Sequence, residues 1–414
     1  MKQTTPTPLL PLLVLLLAGA ASAAPAGDWP GWRGPTRDGR AAAGETPPVR
    51  WSETENVVWC VPVPGRGHSS PTLAGPWIFL STAEDSAGEQ RVLCFERASG
   101  RLRWNTVVHR GKLDGTLSRQ SSHASPTVAW DGARAFVSFY IDGAVFTSAL
   151  DPDGRLLWQR RVSPFVTIRG YGASPVVHQG VVIINADNKG GGKLMALDAR
   201  TGEVRWELAR PALQNYPSPT VMEFGGRAEL IVAGCNVISS FDPLTGRRWW
   251  EFAGATETTV TTPLTDGKRI FITGGFPKNH VAAIAADGSG EVVWQSNTGV
   301  YVPSLVTHNG LLFAVLDTGR AVCWQADTGE ELWREKVDRE VYASPVVAGD
   351  RIYVSSLAGV TSVFAARADK FTLLAQNPLG DEAYASPAIA GNRLYLRHAR
   401  KGDPRREFLW CIGN

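Results

Sequence analysis

The run Leu194-Met195-Ala196-Leu197-Asp198-Ala199-Arg200-Thr201-Gly202-Glu203-Val204-Arg205-Trp206 reads as a strand, a tight turn and a return strand. Asp198 is placed to accept hydrogen bonds from the turn backbone, and Gly202 supplies the positive φ that the turn needs. The spacing of a turn glycine, three residues and a tryptophan recurs as Gly100/Trp104, Gly154/Trp158, Gly246/Trp250, Gly290/Trp294 and Gly329/Trp333. Asp151 and Asp242 match Asp198 in their copies and read as turn caps.

A second motif alternates with the first. Ser-Pro before a short apolar strand appears at Ser70-Pro71, Ser125-Pro126, Ser174-Pro175, Ser218-Pro219, Ser344-Pro345 and Ser386-Pro387, with Thr262-Pro263 as a variant and Pro303-Ser304 in reversed order. The copies lie about 40 to 55 residues apart, and runs such as Arg351-Ile352-Tyr353-Val354 follow them. Each unit holds about four short antiparallel strands, and such a unit cannot bury both faces alone. Eight units stacked radially bury the faces between neighbours. The fold class is therefore all-β, an eight-bladed β-propeller over residues 56–414. The last unit lacks its glycine-to-tryptophan strand. The missing strand stands at the other end, around Trp59, which sits from Pro71 as Trp333 sits from Pro345. The N-terminal strand should complete the last blade and close the ring. Trp59, Trp104, Trp158, Trp206, Trp250, Trp294 and Trp333 are expected as wedges between blades. Leu374 stands near the tryptophan place in blade seven, where a thinner contact is expected.

Residues 1–23 read as a secretory signal peptide: Lys2, an apolar stretch from Leu9 to Ala18, and the small-x-small site Ala21-Ser22-Ala23. The stretch holds no cysteine for a lipid anchor and is too short to span a bilayer. The expectation is an exported protein, periplasmic or secreted, without membrane span or lipid anchor, with residues 24–55 as an N-terminal arm. The formal charge of +3 on 414 residues gives no reason to expect a nucleic-acid partner. The five cysteines, Cys60, Cys94, Cys235, Cys323 and Cys411, include no C-x-x-C. Cys94, Cys323 and Cys411 align with Ala196 and read as small core residues. Cys60 and Cys411 fall on strands that pair in the closing blade, in a diagonal register that does not favour a bridge.

These repeats resemble the pyrroloquinoline-quinone-like propeller family. It includes quinoprotein alcohol dehydrogenases and, in a similar architecture, the non-enzymatic lipoprotein of the outer-membrane β-barrel assembly machinery. The resemblance covers residue 50 to the end, and Asp28-Trp29-Pro30-Gly31-Trp32-Arg33-Gly34-Pro35 is similar to the opening of many exported members. It implies the fold and leaves function open. The quinoprotein enzymes hold their cofactor between an adjacent-cysteine disulfide and a tryptophan, with a calcium ion beside it. This chain has no adjacent cysteine pair, so neither pyrroloquinoline quinone nor calcium is expected.

No zinc-protease, serine-hydrolase or phosphate-loop motif occurs. Lys189-Gly190-Gly191-Gly192-Lys193 follows a strand and opens no helix, so it reads as a hairpin turn. Asp187 is a second polar candidate, with pairing to a nearby arginine as its plainer role. The seven histidines show no metal-ligand spacing, and no catalytic residue is assigned. The candidate site is a ring at one mouth of the central channel, two places before each Ser-Pro serine or its Thr262 variant: His68, His123, Gly172, Tyr216, Val260, Tyr342 and Tyr384, with Tyr171 one place off, and Tyr301 if Ser304 takes the place of the usual proline. Polar-tipped aromatics around a concave mouth suit a ligand or peptide, although packing between loops is the plainer use. Arg66, Arg119, Arg169 and Arg339 precede the same motifs and would make that face locally basic. The preferred function is a monomeric scaffold binding another envelope protein or peptide. A quinoprotein-like oxidoreductase and a carbohydrate-active propeller stay open as alternatives.

Overall fold

In the computed structural model the described residues are 27–113, 117, 121–167 and 169–414. The signal-peptide reading of residues 1–23 and Arg119 lie outside them. Eight four-stranded antiparallel sheets form, and the one helical element among the described residues is a 3-10 turn at Asp85–Ala87. No described helix is long and apolar enough to cross a membrane. Blades one to seven span residues 72–110, 129–164, 176–210, 220–253, 264–296, 306–336 and 346–378. Blade eight combines Ala388–Ala390, Arg393–Arg400 and Arg406–Ile412 with the N-terminal strand Val57–Val63 as its outermost member. The ring closes as the chain ends suggest, with Trp59 opposite Cys411.

The inner strands are buried on both faces. In blade three Val181–Asn185 is buried throughout, whereas the outer strand Val204–Arg210 is largely exposed. The core is therefore a set of inter-blade layers. Phe136, Met195 and Leu197 meet between blades two and three, and Ile183, Leu230 and Val232 between blades three and four. Each tryptophan stands opposite a small residue of its own blade, as Trp206 does opposite Ala196, Trp104 opposite Cys94 and Trp333 opposite Cys323. Its indole reaches the next blade's outer turn. Trp59 donates to the Arg97 carbonyl, Trp104 to Pro152, Trp158 to Ala199, Trp206 to Pro243, Trp294 to Ala326 and Trp333 to Arg367, at 2.9–3.2 Å.

Trp250 departs from this pattern. It donates to Glu229 Oε2 in its own blade at 3.0 Å. Phe252, stacked on it at 5.2 Å, lies under Gly290 in its place. A second aromatic two residues along the same strand face takes the docking position.

The turn glycine and the tryptophan act as one unit. Gly202 has φ +73°, and a Cβ there would sit 2.7 Å from Trp158 Cδ2. Gly202→Ala is expected to cost about 1–3 kcal/mol through backbone strain and overpacking. Gly226 has φ +78° and open space around it. Gly226→Ala should carry only the backbone part, about 1 kcal/mol. Urea midpoints of the two variants check this.

The arm is longer-ranged than its sequence suggests. It crosses one face of the propeller and touches every blade. Trp29 pairs with Leu73, and Pro30 accepts from the Trp130 amide. Arg37 donates to the Val177 and Val221 carbonyls. Trp32 Nε1 donates to Thr262 Oγ1 at 2.7 Å. Arg33, 3% exposed, donates to the carbonyls of Leu305 and Pro345. Gly39 and Ala41 bond Val347, and Glu45 accepts the Gly391 and Asn392 amides.

In blade seven Ala375, not Leu374, holds the tryptophan place, opposite Val363. The seam is filled by the arm: Trp51 is buried, its amide donates to Asn377 Oδ1 at 3.0 Å, and Arg50 donates to the Leu374 carbonyl at 2.9 Å.

All five thiols are free. Cys60 is exposed and the other four are buried. Thiol titration without reductant should find five reactive groups in the unfolded protein, with Cys60 the first to react in the folded one.

Candidate functional site

The motif serines build a belt around the channel. The amide of one blade's serine donates to the hydroxyl of the next: Ser174 to Ser218, Ser304 to Ser344, Ser344 to Ser386, and Ser386 to Ser70 across the closing seam, all at 2.8–3.0 Å. Thr262 donates to Ser304 likewise, but its own hydroxyl is taken by Trp32 of the arm.

Blade two is out of frame. Its inner hairpin turns over Asp131–Arg134, two residues longer than the turn between Ala74 and Trp77 in blade one. Thr127 therefore takes the belt position: Ser70 donates to Thr127 Oγ1, and the Thr127 amide donates to Ser174. Blade six is in frame with Ser304 as the serine, so the alignment that would set Ser304 on the usual proline does not hold.

Above the belt lies a cup of about 250 Å³. His68, Tyr171, Tyr216, Tyr301, Tyr342 and Tyr384 all line it, with Arg169 at the lip and Trp32 as a floor supplied by the arm. His68 stacks on Tyr384 at 4.0 Å, and Tyr342 is tilted against Tyr384 at 6.4 Å. The expected ring is thus brought together except at His123. The blade-two frame shift puts Ser125 on the wall, and His123 turns to Asp85 at 2.9 Å. Tyr171 is 6% exposed and its hydroxyl donates to the Asn185 carbonyl, so it contributes a ring face and no free hydroxyl. Of the four arginines, Arg169 lines the cup. Arg66 donates to the Ser121 carbonyl at 3.2 Å, and neither it nor Arg339 is in the lining.

The electrostatics follow from burial. Desolvation, and after it Arg66, Arg397 and Arg405, hold the His68 pKa well below its ordinary value, so the ring is neutral. Desolvation raises the phenols of Tyr216, Tyr301, Tyr342 and Tyr384. Asp317 clasps the loop behind Tyr301, accepting the Tyr301 and Val302 amides at 2.9 and 3.0 Å. Asp187 is no part of this site. It forms a bidentate pair with Arg210 at 2.9 and 3.1 Å, both buried. The Lys189–Lys193 run is a hairpin turn between two strands of blade three.

The lining does not fit the quinone cofactor that the repeat family implies. Among the described residues it contains no cysteine and no carboxylate. Among the described residues no three His, Cys, Asp or Glu side chains gather as a metal site.

Similar folds occur in BamB from Moraxella catarrhalis (TM-score 0.63, 16% identity, 86% of this chain and 96% of that one) and in the quinohemoprotein alcohol dehydrogenase from Comamonas testosteroni (TM-score 0.69, 14% identity, 95% and 82%). At that identity the likeness is one of fold. Outer membrane protein assembly factor BamB of Bordetella pertussis is 25% identical over 335 residues, 75% of each chain. Its namesake of Yersinia pestis is 27% identical over 280 residues, 65% of this chain and 66% of that one. The family profile of outer membrane protein assembly factor BamB matches residues 31–163 and 277–402. With more than half of its length matched, the chain belongs to the BamB family of propellers.

Proposed function

We propose that this chain is an exported, non-enzymatic propeller that holds another envelope protein, or a peptide segment of one, on the open face of its central cup. The observation that carries the reading is the one-sided cup. The arm supplies Trp32 to the base of the cup, and the mouth is ringed by Tyr216, Tyr301, Tyr342 and Tyr384. Aromatics with polar tips on rigid loops suit protein contact, because they offer large area at small entropy loss. Its relatives carry the name of an outer membrane assembly factor, which favours a periplasmic setting. In this reading the protein acts as a monomer.

A photo-crosslinking amino acid at Tyr342 or Tyr216, in protein expressed and exported in cells, should yield discrete adducts. The same group at Lys268, on the arm's side, should not. Tyr216→Ala with Tyr384→Ala should abolish the Tyr342 adduct. Equal adducts on both faces, or adducts indifferent to the tyrosines, would sink the reading.

A further inference from the structure

We propose that the cup is a receptor for a small organic carboxylate carried on a flat apolar body; this deepens, and rests on, the reading of the open face as the binding face. The lining is rich in hydroxyl donors. Ser70, Ser174, Ser218, Ser344 and Ser386 each use an oxygen lone pair on a neighbour's amide. Each is left with an O–H to give, and all five line the cup. Thr262 is in the same state, with one lone pair used by the Trp32 indole.

Charge points the same way. Among the described residues Arg169 is the one lysine or arginine in the lining, which contains no carboxylate. It is exposed at the lip, and among the described residues it makes no ion pair. Tyr216, Tyr301 and Tyr342 stand within its electrostatic reach. His68 beside them is held neutral by burial and by three arginines. A cation over a well of hydroxyl donors favours an anionic, acceptor-rich occupant.

Shape supplies the apolar half. The floor is an indole and the walls carry phenol rings, which suit stacking on a flat body. A well of about 250 Å³ suits a single ring or one side chain.

The test uses the full exported protein and phenylacetate as the probe, followed by calorimetry. Saturable binding at about 1–10 mM is expected for a ligand of about ten heavy atoms. Arg169→Gln should weaken it about tenfold and Arg169→Lys should restore part of the loss. Phenylacetamide should bind the unaltered protein no better than phenylacetate binds Arg169→Gln. In protein labelled with 5-fluorotryptophan, the fluorine resonance lost in Trp32→Phe should be the one that moves.

A Gly-Gly-Ser peptide capped with a 4-carboxybenzoyl group distinguishes the sources of the carboxylate. Tighter binding than phenylacetate assigns the cup to a group carried on a protein partner, and weaker binding assigns it to a free acid. Equal binding of acid and amide, an unchanged Kd in Arg169→Gln, or no saturation by about 20 mM would each overturn the proposal. Loss of this binding with intact Tyr342 adducts removes the carboxylate and leaves the scaffold. Intact binding without adducts removes the scaffold alone.

Discussion

Glu407→Ala is expected to destabilise the protein by about 3–5 kcal/mol, because it leaves Arg397 charged and buried without its partner. Both side chains are 2% exposed and lie 2.6 Å apart. Arg397 sits in blade eight and donates across the seam to Ser69 Oγ and the Ser81 carbonyl of blade one. Glu407 also accepts from Arg405 and from the Gly67 amide. It stands opposite Val63 of the N-terminal strand. The pair therefore joins the closing strand, the last blade and the first. Denaturant unfolding gives the size of the loss. Hydrogen exchange gives its place: amides of Val57–Val63 should lose protection before those of blade three. Replacing both members by apolar residues, Arg397→Met with Glu407→Leu, should recover much of the loss. Uniform loss of protection around the ring would refute the seam assignment.

A second large effect is expected on acidification. His109 and His398 have their pKa pushed down to about 4, and His68 is held well below its ordinary value, in each case first by desolvation. His398 is boxed in by the Leu379 carbonyl at 2.7 Å and the Ser355 hydroxyl at 3.3 Å, with no carboxylate bonded to it. His109 packs on Phe139 and Phe146, and Asp142 offsets part of its shift. The folded pKa lies below the unfolded value of about 6.5, so below that pH the unfolded chain binds more protons. The stability these residues contribute is fully present above pH 6.5. It is lost as pH falls through 6.5 toward 4, by about 2 kcal/mol per histidine at pH 5. Denaturation midpoints at pH 7.5 and 5 should differ accordingly, and His398→Gln should flatten the profile by its share. A flat profile between these pH values would show that the histidines open to water before they protonate.

The architecture was legible because each blade writes its own strands locally. The Gly202-to-Trp206 spacing, with Ala196 opposite, lies within one hairpin. Ring closure was legible as well, since the strand missing after Ser386 was present around Trp59. The limits appeared where a local pattern met a long-range contact. His123 kept the right distance from Ser125, yet two added residues in the turn Asp131–Arg134 moved the belt position to Thr127. Only strand pairing reveals that frame. Trp250 had the right spacing from Gly246, and Phe252 displaced it.

The arm is the larger case. Nothing around Trp32 is periodic, so its sequence carries no signal of depth or direction. In the fold its indole finds Thr262, 230 positions away, and joins the lining of the cup. Sequence alone determined the repeat, the number of blades, the seam and most of the aromatic ring, because side-chain alternation and turn chemistry act over a few residues. Tertiary structure decided which mouth is open, which hydroxyls remain donors and which arginine stands over them. Those properties belong to contacts between residues hundreds of positions apart, whose geometry exists only once the ring has closed.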